Sequence, residues 1–284
     1  MNFYKSIITF VILISCVSKV EAQKLSISKP TDSSSIGALL KYDSKIILRS
    51  VGNSFTRPLH WKKKDLKTFG TLLGGTLALY FIDEEANRYF SRIEPDVPNF
   101  IKKTGFYAGK PQNYFAATAA IYGFGLLTKN EKVRKTGVLI MSASVATGVF
   151  QSIMKTAVGR ARPTEYIGNG SFKPFTNIAG FHSFPSGHTI LSVTMAHAIA
   201  KQFDNTWTKV GIYTLGSIAP ISRLLAGAHW LTDVVFSTAI SIIIVDGVDK
   251  FLFNTKAYDY PTKEKLISWN LKFSSNQIGL VGVF

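Results

Sequence analysis

Three short patterns, each set at the end of an apolar stretch, constrain this chain more than anything else in it. The first is Lys155, six residues, then Arg162-Pro163. The second is Pro185-Ser186-Gly187-His188, and the third is Ser222-Arg223, five residues, His229, three residues, Asp233. A fold that satisfies all three brings several helix ends together. At that meeting point stand three cations, two histidines and one carboxylate. Lysine and arginine match the oxygens of a phosphate, which carry charge in three directions. Two histidines and an aspartate are what displacement of a phosphoryl group by a protein nucleophile requires.

Each pattern alone has a blander meaning. His229 and Asp233 are four apart, so on one helix they share a face. Asp233 then holds one ring nitrogen and leaves the other free to attack, as in nucleophilic triads. A lone pair of this spacing is more often a weak surface contact. The second pattern starts a helix: Ser186 is a preferred cap before the apolar run 189–200, and unpaired first-turn amides favour an anion. The first pattern ends a helix over 137–155, because Pro163 bars continuation; Lys155 and Arg162 alone could be partners of its dipole. The three in order are a far stronger signal than any one.

With these motifs the chain resembles the type 2 phosphatidic acid phosphatase superfamily, which also holds class A acid phosphatases and vanadium haloperoxidases. The resemblance is carried by residues 155–233 and extends over the helices of about 66–250. It implies that His229 becomes a phosphohistidine, that Asp233 orients it, and that His188 protonates the leaving group and then activates water. It implies that Lys155, Arg162, Arg223 and the amides of Ser186 and Gly187 hold the phosphoryl oxygens. No cofactor and no metal is implied, and no cluster with metal-ligand spacing is evident. The implied fold is all-α, a six-helix core bundle. Two rivals follow: a vanadate-dependent haloperoxidase and a soluble, non-specific periplasmic acid phosphatase. A non-catalytic envelope protein is disfavoured by the presence of all six polar side chains.

The rest of the chain is read around that core. Residues 1–22 resemble an export signal, with Lys5, an apolar run over 6–17 and Val20-Glu21-Ala22 before Gln23. Leu13-Ile14-Ser15-Cys16 also fits a lipobox, and an uncleaved anchor is a third reading. Cleavage after Ala22 removes the single cysteine, leaving an apolar core as the sole staple. Residues 23–65 are expected to be a linker with an amphipathic segment over 36–49, 66–255 the helical domain, and 256–284 a tail. In the tail, Trp269, Leu271 and Phe273 alternate with polar residues, as do Ile278 and Leu280, which predicts a short β-hairpin packed on the body. Helices are expected over 66–85, 113–128, 137–155, 188–202, 208–221 and 229–250. His197 is read as a core or groove histidine, His182 and Arg160 as loop residues near the pocket, and His60 has no evident partner.

The net charge of +16 points to an anionic partner. The basic residues scatter between helices, so an anionic membrane surface and a phosphorylated lipid or small phosphate ester are expected, and no nucleic acid. Oligomeric state is not written in the sequence. The uncharged runs of about 12–19 residues fall short of the ~20 that spanning asks for. An exported start followed by three crossings also conflicts with basic loops opposite the motifs. The expectation is therefore an exported domain, soluble or membrane-associated, with an integral inner-membrane protein as the alternative.

Overall fold

The computed structural model describes residues 29–30, 34–259, 268–274 and 277–283. The proposed signal sequence and the lipobox cysteine lie outside these residues. The described residues contain nine α-helices: α1 (Ile36–Thr56), α2 (Lys63–Tyr80), α3 (Asp83–Ile93), α4 (Asn99–Ala108), α5 (Pro111–Leu127), α6 (Glu131–Val158), α7 (Gly187–Ala200), α8 (Thr206–Leu225) and α9 (Leu231–Asn254). The domain is all-α, as expected. In the tail, strands β1 (Ser268–Ser274) and β2 (Gln277–Val283) pair antiparallel, with Ser268 opposite Val283 and Ser274 opposite Gln277. Whether they pack on the body lies outside the described side chains.

Local chemistry sets the helix ends. Ser35, Asn130 and Asn205 cap α1, α6 and α8, their side chains accepting from the amides of Ala38, Val133 and Thr208. Gly159 closes α6 in the left-handed conformation, φ 57°, where a Cβ would run into the Lys173 carbonyl. Two boundaries depart from expectation. The helix expected over 66–85 breaks at Phe81–Ile82 and restarts at Asp83, whose carboxylate is claimed from across the fold by Arg160 and the Thr232 amide. The helix expected to stop at 221 runs on through Pro220 to Leu225, so Arg223 sits in its last turn.

α5 through α9 run back and forth between two ends of the molecule. At one end are Gly109 beside His188, together with Lys155 and Arg223; this is the site end. At the other are Gly125 against Arg134, and Lys201 with Asp246 and Asp249. The amphipathic segment expected in a linker is instead part of the core. α1 buries Leu39, Tyr42 and Ile46, and the latter two join Val138, Leu139, Val245 and Leu252 in the main cluster. Its Asp43 is fully buried against Arg134 at 2.9 Å and accepts from the hydroxyls of Tyr122 and Tyr258. A buried carboxylate requires such pairing.

The outer surface is unusually apolar. α2 buries none of its residues and exposes Leu66, Leu73 and Leu77. α5 exposes Phe115, Phe124 and Leu127, and α8 exposes Trp207, Val210 and Leu215. Exposed apolar faces of this extent mark contact with lipid or protein rather than water.

Candidate active site

The carboxylate at the base of the site is anchored first. Asp233 lies in the first turn of α9 and is fully buried. Its Oδ1 accepts from Arg160 Nη1 at 2.7 Å. Its Oδ2 accepts from Ser183 Oγ at 2.5 Å and from the Trp230 amide at 2.9 Å. Arg160 in turn donates to Asp83 Oδ2 at 2.7 Å and to Thr232 Oγ1 at 2.7 Å. One buried guanidinium thus ties two carboxylates from distant segments, and hydrogen bonds from Ser183 and the Trp230 and Thr232 amides meet their remaining oxygens.

His229 is not on the helix. α9 begins at Leu231, and Trp230 takes the cap position, its amide satisfied by Asp233. The side chain of His229 is nonetheless buried, with Nδ1 3.6 Å from Asp233 Oδ2 and no hydrogen-bond partner. That distance is beyond a hydrogen bond, but catalytic contacts often tighten only around substrate. Burial, opposed by the nearby Asp233, pushes the imidazolium of His229 down to about 4. The ring is therefore neutral near pH 7, the form in which a nitrogen can attack.

Around His229 lies a cavity of about 350 Å³ lined by Lys155, Arg162, Gly187, His188, Arg223 and Ala228 among others. α6 delivers Lys155 from its last turn, α8 delivers Arg223, and α7 opens with Gly187 and His188. Both Lys155 Nζ, at 2.6 Å, and Arg162 Nη2, at 3.3 Å, donate to the carbonyl of His182. Arg162 Nη1 also donates to the Ala228 carbonyl at 3.0 Å. The His182 ring turns away to the Thr176 carbonyl, so His182 contributes its backbone to the site. His188 Nε2 is buried without a partner, as a group that awaits one would be.

One expected site residue lies behind the cavity rather than in it. Ser186 is fully buried; its amide donates to Ser237 Oγ at 2.8 Å, and its hydroxyl accepts from Thr189. An amide so engaged does not face an anion, which leaves Gly187 as the backbone approach. Other residues of the site carry no signal in the three patterns. Phe106 of α4 lies between two of them, stacked on His188 at 5.6 Å and under the Arg223 guanidinium at 4.9 Å. Arg160 and Asp83 were also missed as anchors; a cation two residues ahead of Arg162 was the one available hint.

Residues 136–254 match a family model described as the PAP2 superfamily, a span that holds the two histidines and three cations of the cavity. Over this stretch the chain is similar to the PAP2 superfamily. Among curated relatives, the chain is 32% identical over 105 residues to the lipid A 1-phosphatase of Rhizobium etli, covering 36% of this chain and 44% of that protein. It is 26% identical over 130 residues to the lipid A 1-phosphatase of Porphyromonas gingivalis, covering 45% and 26%. The matches thus span less than half the length of these relatives. Among solved structures, the crystal structure of the first transmembrane PAP2 type phosphatidylglycerolphosphate phosphatase from Bacillus subtilis aligns with 69% of this chain and 98% of that one, at TM-score 0.49 and 17% identity.

Proposed function

We propose that this protein is a metal-independent phosphatase of the PAP2 superfamily that hydrolyses a phosphomonoester or pyrophosphate of a membrane lipid through a phosphohistidine. The observation that carries this reading is the gathering of two histidines and three cations around one cavity, with a fixed carboxylate behind His229. His229 Nε2 attacks phosphorus while Asp233 receives the Nδ1 proton in a hydrogen bond. His188, protonated once the negative charge of the bound phosphate offsets Arg223, Arg162 and Lys155, gives its proton to the departing oxygen, and the P–O bond breaks as the P–N bond forms. His188 then takes a proton from water, whose oxygen displaces His229 and releases phosphate. Lys155, Arg162, Arg223 and the Gly187 amide neutralise the equatorial oxygens, the dominant demand of phosphoryl transfer. The resemblance to lipid A 1-phosphatases supports a lipid substrate.

The same proposal places the chain in the membrane. α6 and α9 are long and apolar enough to cross a bilayer, and α2, α5 and α8 present apolar faces outward. In this reading α6 and α9 span, with α2, α5 and α8 facing lipid beside them. The end away from the site carries Lys129, Lys132, Lys201, Lys209 and Lys256, which places that end in the cytoplasm and the cavity on the outer side. This reading departs from the soluble expectation because the charges that bound the short runs include ones the fold buries, such as Asp233 of α9 and Arg134 of α6.

The deciding experiment is His229→Ala with acid trapping of the wild type. Loss of phosphate release together with acid-labile phosphate on His229 is the expected result. Full activity in the folded variant would sink the assignment. Activity should survive EDTA and be inhibited by vanadate; peroxide-driven halide oxidation with vanadate would favour the haloperoxidase instead.

A further inference from the structure

A second cavity of about 340 Å³ adjoins the proposed phosphoryl site. The two are walled by consecutive residues of the same segments: Arg162 and Ala228 line the first, and Pro163, Thr164 and Gly227 line the second. α3 lines it with Asn87 and Ser91, and Glu94 follows at the end of that helix. Asn87 Oδ1 is buried there with no hydrogen-bond partner, a costly state unless a ligand supplies a donor. At the mouth stands Tyr166, 91% exposed and held at φ 55°, a conformation unusual for an aromatic residue.

The chemistry of this lining selects its ligand. No lysine, arginine or histidine lines it, so it offers nothing to a second phosphate. Its one carboxylate, Glu94, is already held by Lys102 at 2.6 Å, which removes the attraction for an amine. What remains is an open carboxamide oxygen, two hydroxyl-bearing side chains and an exposed aromatic ring. Those groups suit a neutral, hydroxyl-rich ring with an apolar face, whose hydroxyls satisfy Asn87 while the ring lies on Tyr166.

We propose that this cavity is a head-group subsite for a sugar carrying the scissile phosphate, an inference that rests on the reading of the adjacent cavity as the site of phosphoryl transfer. The test uses the full chain in detergent and two lipids of equal chain length, an acylated glucosamine 1-phosphate and phosphatidic acid. The variants are Asn87→Ala and Tyr166→Asn, the latter chosen because asparagine tolerates positive φ. Each should lower kcat/KM about tenfold on the sugar lipid, mainly through KM, the loss expected for one contact, and leave phosphatidic acid unchanged. Equal losses on both lipids, or none on either, overturn the subsite. Calorimetric binding of glucose 1-phosphate and inorganic phosphate to the same proteins separates the two readings. Glucose 1-phosphate should bind the wild type more tightly than phosphate and lose that margin in Tyr166→Asn, even if neither lipid is hydrolysed; equal affinities in the wild type overturn the proposal.

Discussion

At the residue scale, the state of His229 is decided by what surrounds it. A histidine of ordinary pKa takes up a proton near pH 6.5, whereas the folded site resists until about pH 4. As pH falls through that window the unfolded chain binds a proton that the folded chain refuses, so stability declines from pH 6.5 downward, by about 3 kcal/mol at most. Thermal unfolding followed from pH 7 to pH 4 should show this slope in the wild type and a shallower one in His229→Gln. Identical slopes would mean that His229 is hydrated in the folded protein. Asp233→Asn should cost orders of magnitude in kcat, since a mis-set tautomer cannot attack. Arg160 acts through Asp233 rather than on substrate. Arg160→Met leaves two buried carboxylates without their cation and should destabilise by about 3–5 kcal/mol. Adding Asp83→Asn should recover part of the lost Tm, and no recovery would refute the shared-charge account.

At the element scale, the helices that carry the patterns were visible because apolar runs end where charged residues begin. The role of α4 at the site was not, because it carries none of the patterns. Yet α4 is pinned against the site: Gly105 is so close to Ile218 and Ser222 of α8 that any Cβ there would clash, and just beyond α4 Gly109 abuts the His188 ring. A Cβ at 109 would fall 2.5–2.8 Å from three carbons of that side chain. Gly109→Ala should therefore displace the proposed general acid and lower kcat by about 10–100-fold, as a displacement near 1 Å does. The loss should shrink on p-nitrophenyl phosphate, whose leaving group needs little protonation. Equal losses on both substrates would assign the effect to something other than His188.

At the scale of the whole molecule, the apolar outer faces of α2, α5 and α8 and the basic far end make one prediction about place. The protein should resist extraction by salt or carbonate and leave the membrane only in solubilising detergent. A cysteine at the exposed Ile178, introduced with Cys16→Ser, reports the site end. Labelling by an impermeant maleimide while the inner membrane is intact is the expected result, and protection until lysis would reverse the orientation.

The linear chain already singled out the histidines and cations that the fold gathers around one cavity, because each pattern is local and its spacing survives in the linear chain. It also determined that helices carry them. It did not determine that Asp233 is held by Arg160 and Asp83, that Ser186 points its amide at Ser237, or that Phe106 lies between Arg223 and His188. These pairings join residues far apart in the chain, and only the packing of one helix end on another brings them within hydrogen-bond reach. The membrane reading followed the same division. Run lengths counted along the chain take Asp233 as the end of the apolar stretch of α9, whereas the fold buries it against Arg160, a distinction that exists only once the helix has neighbours.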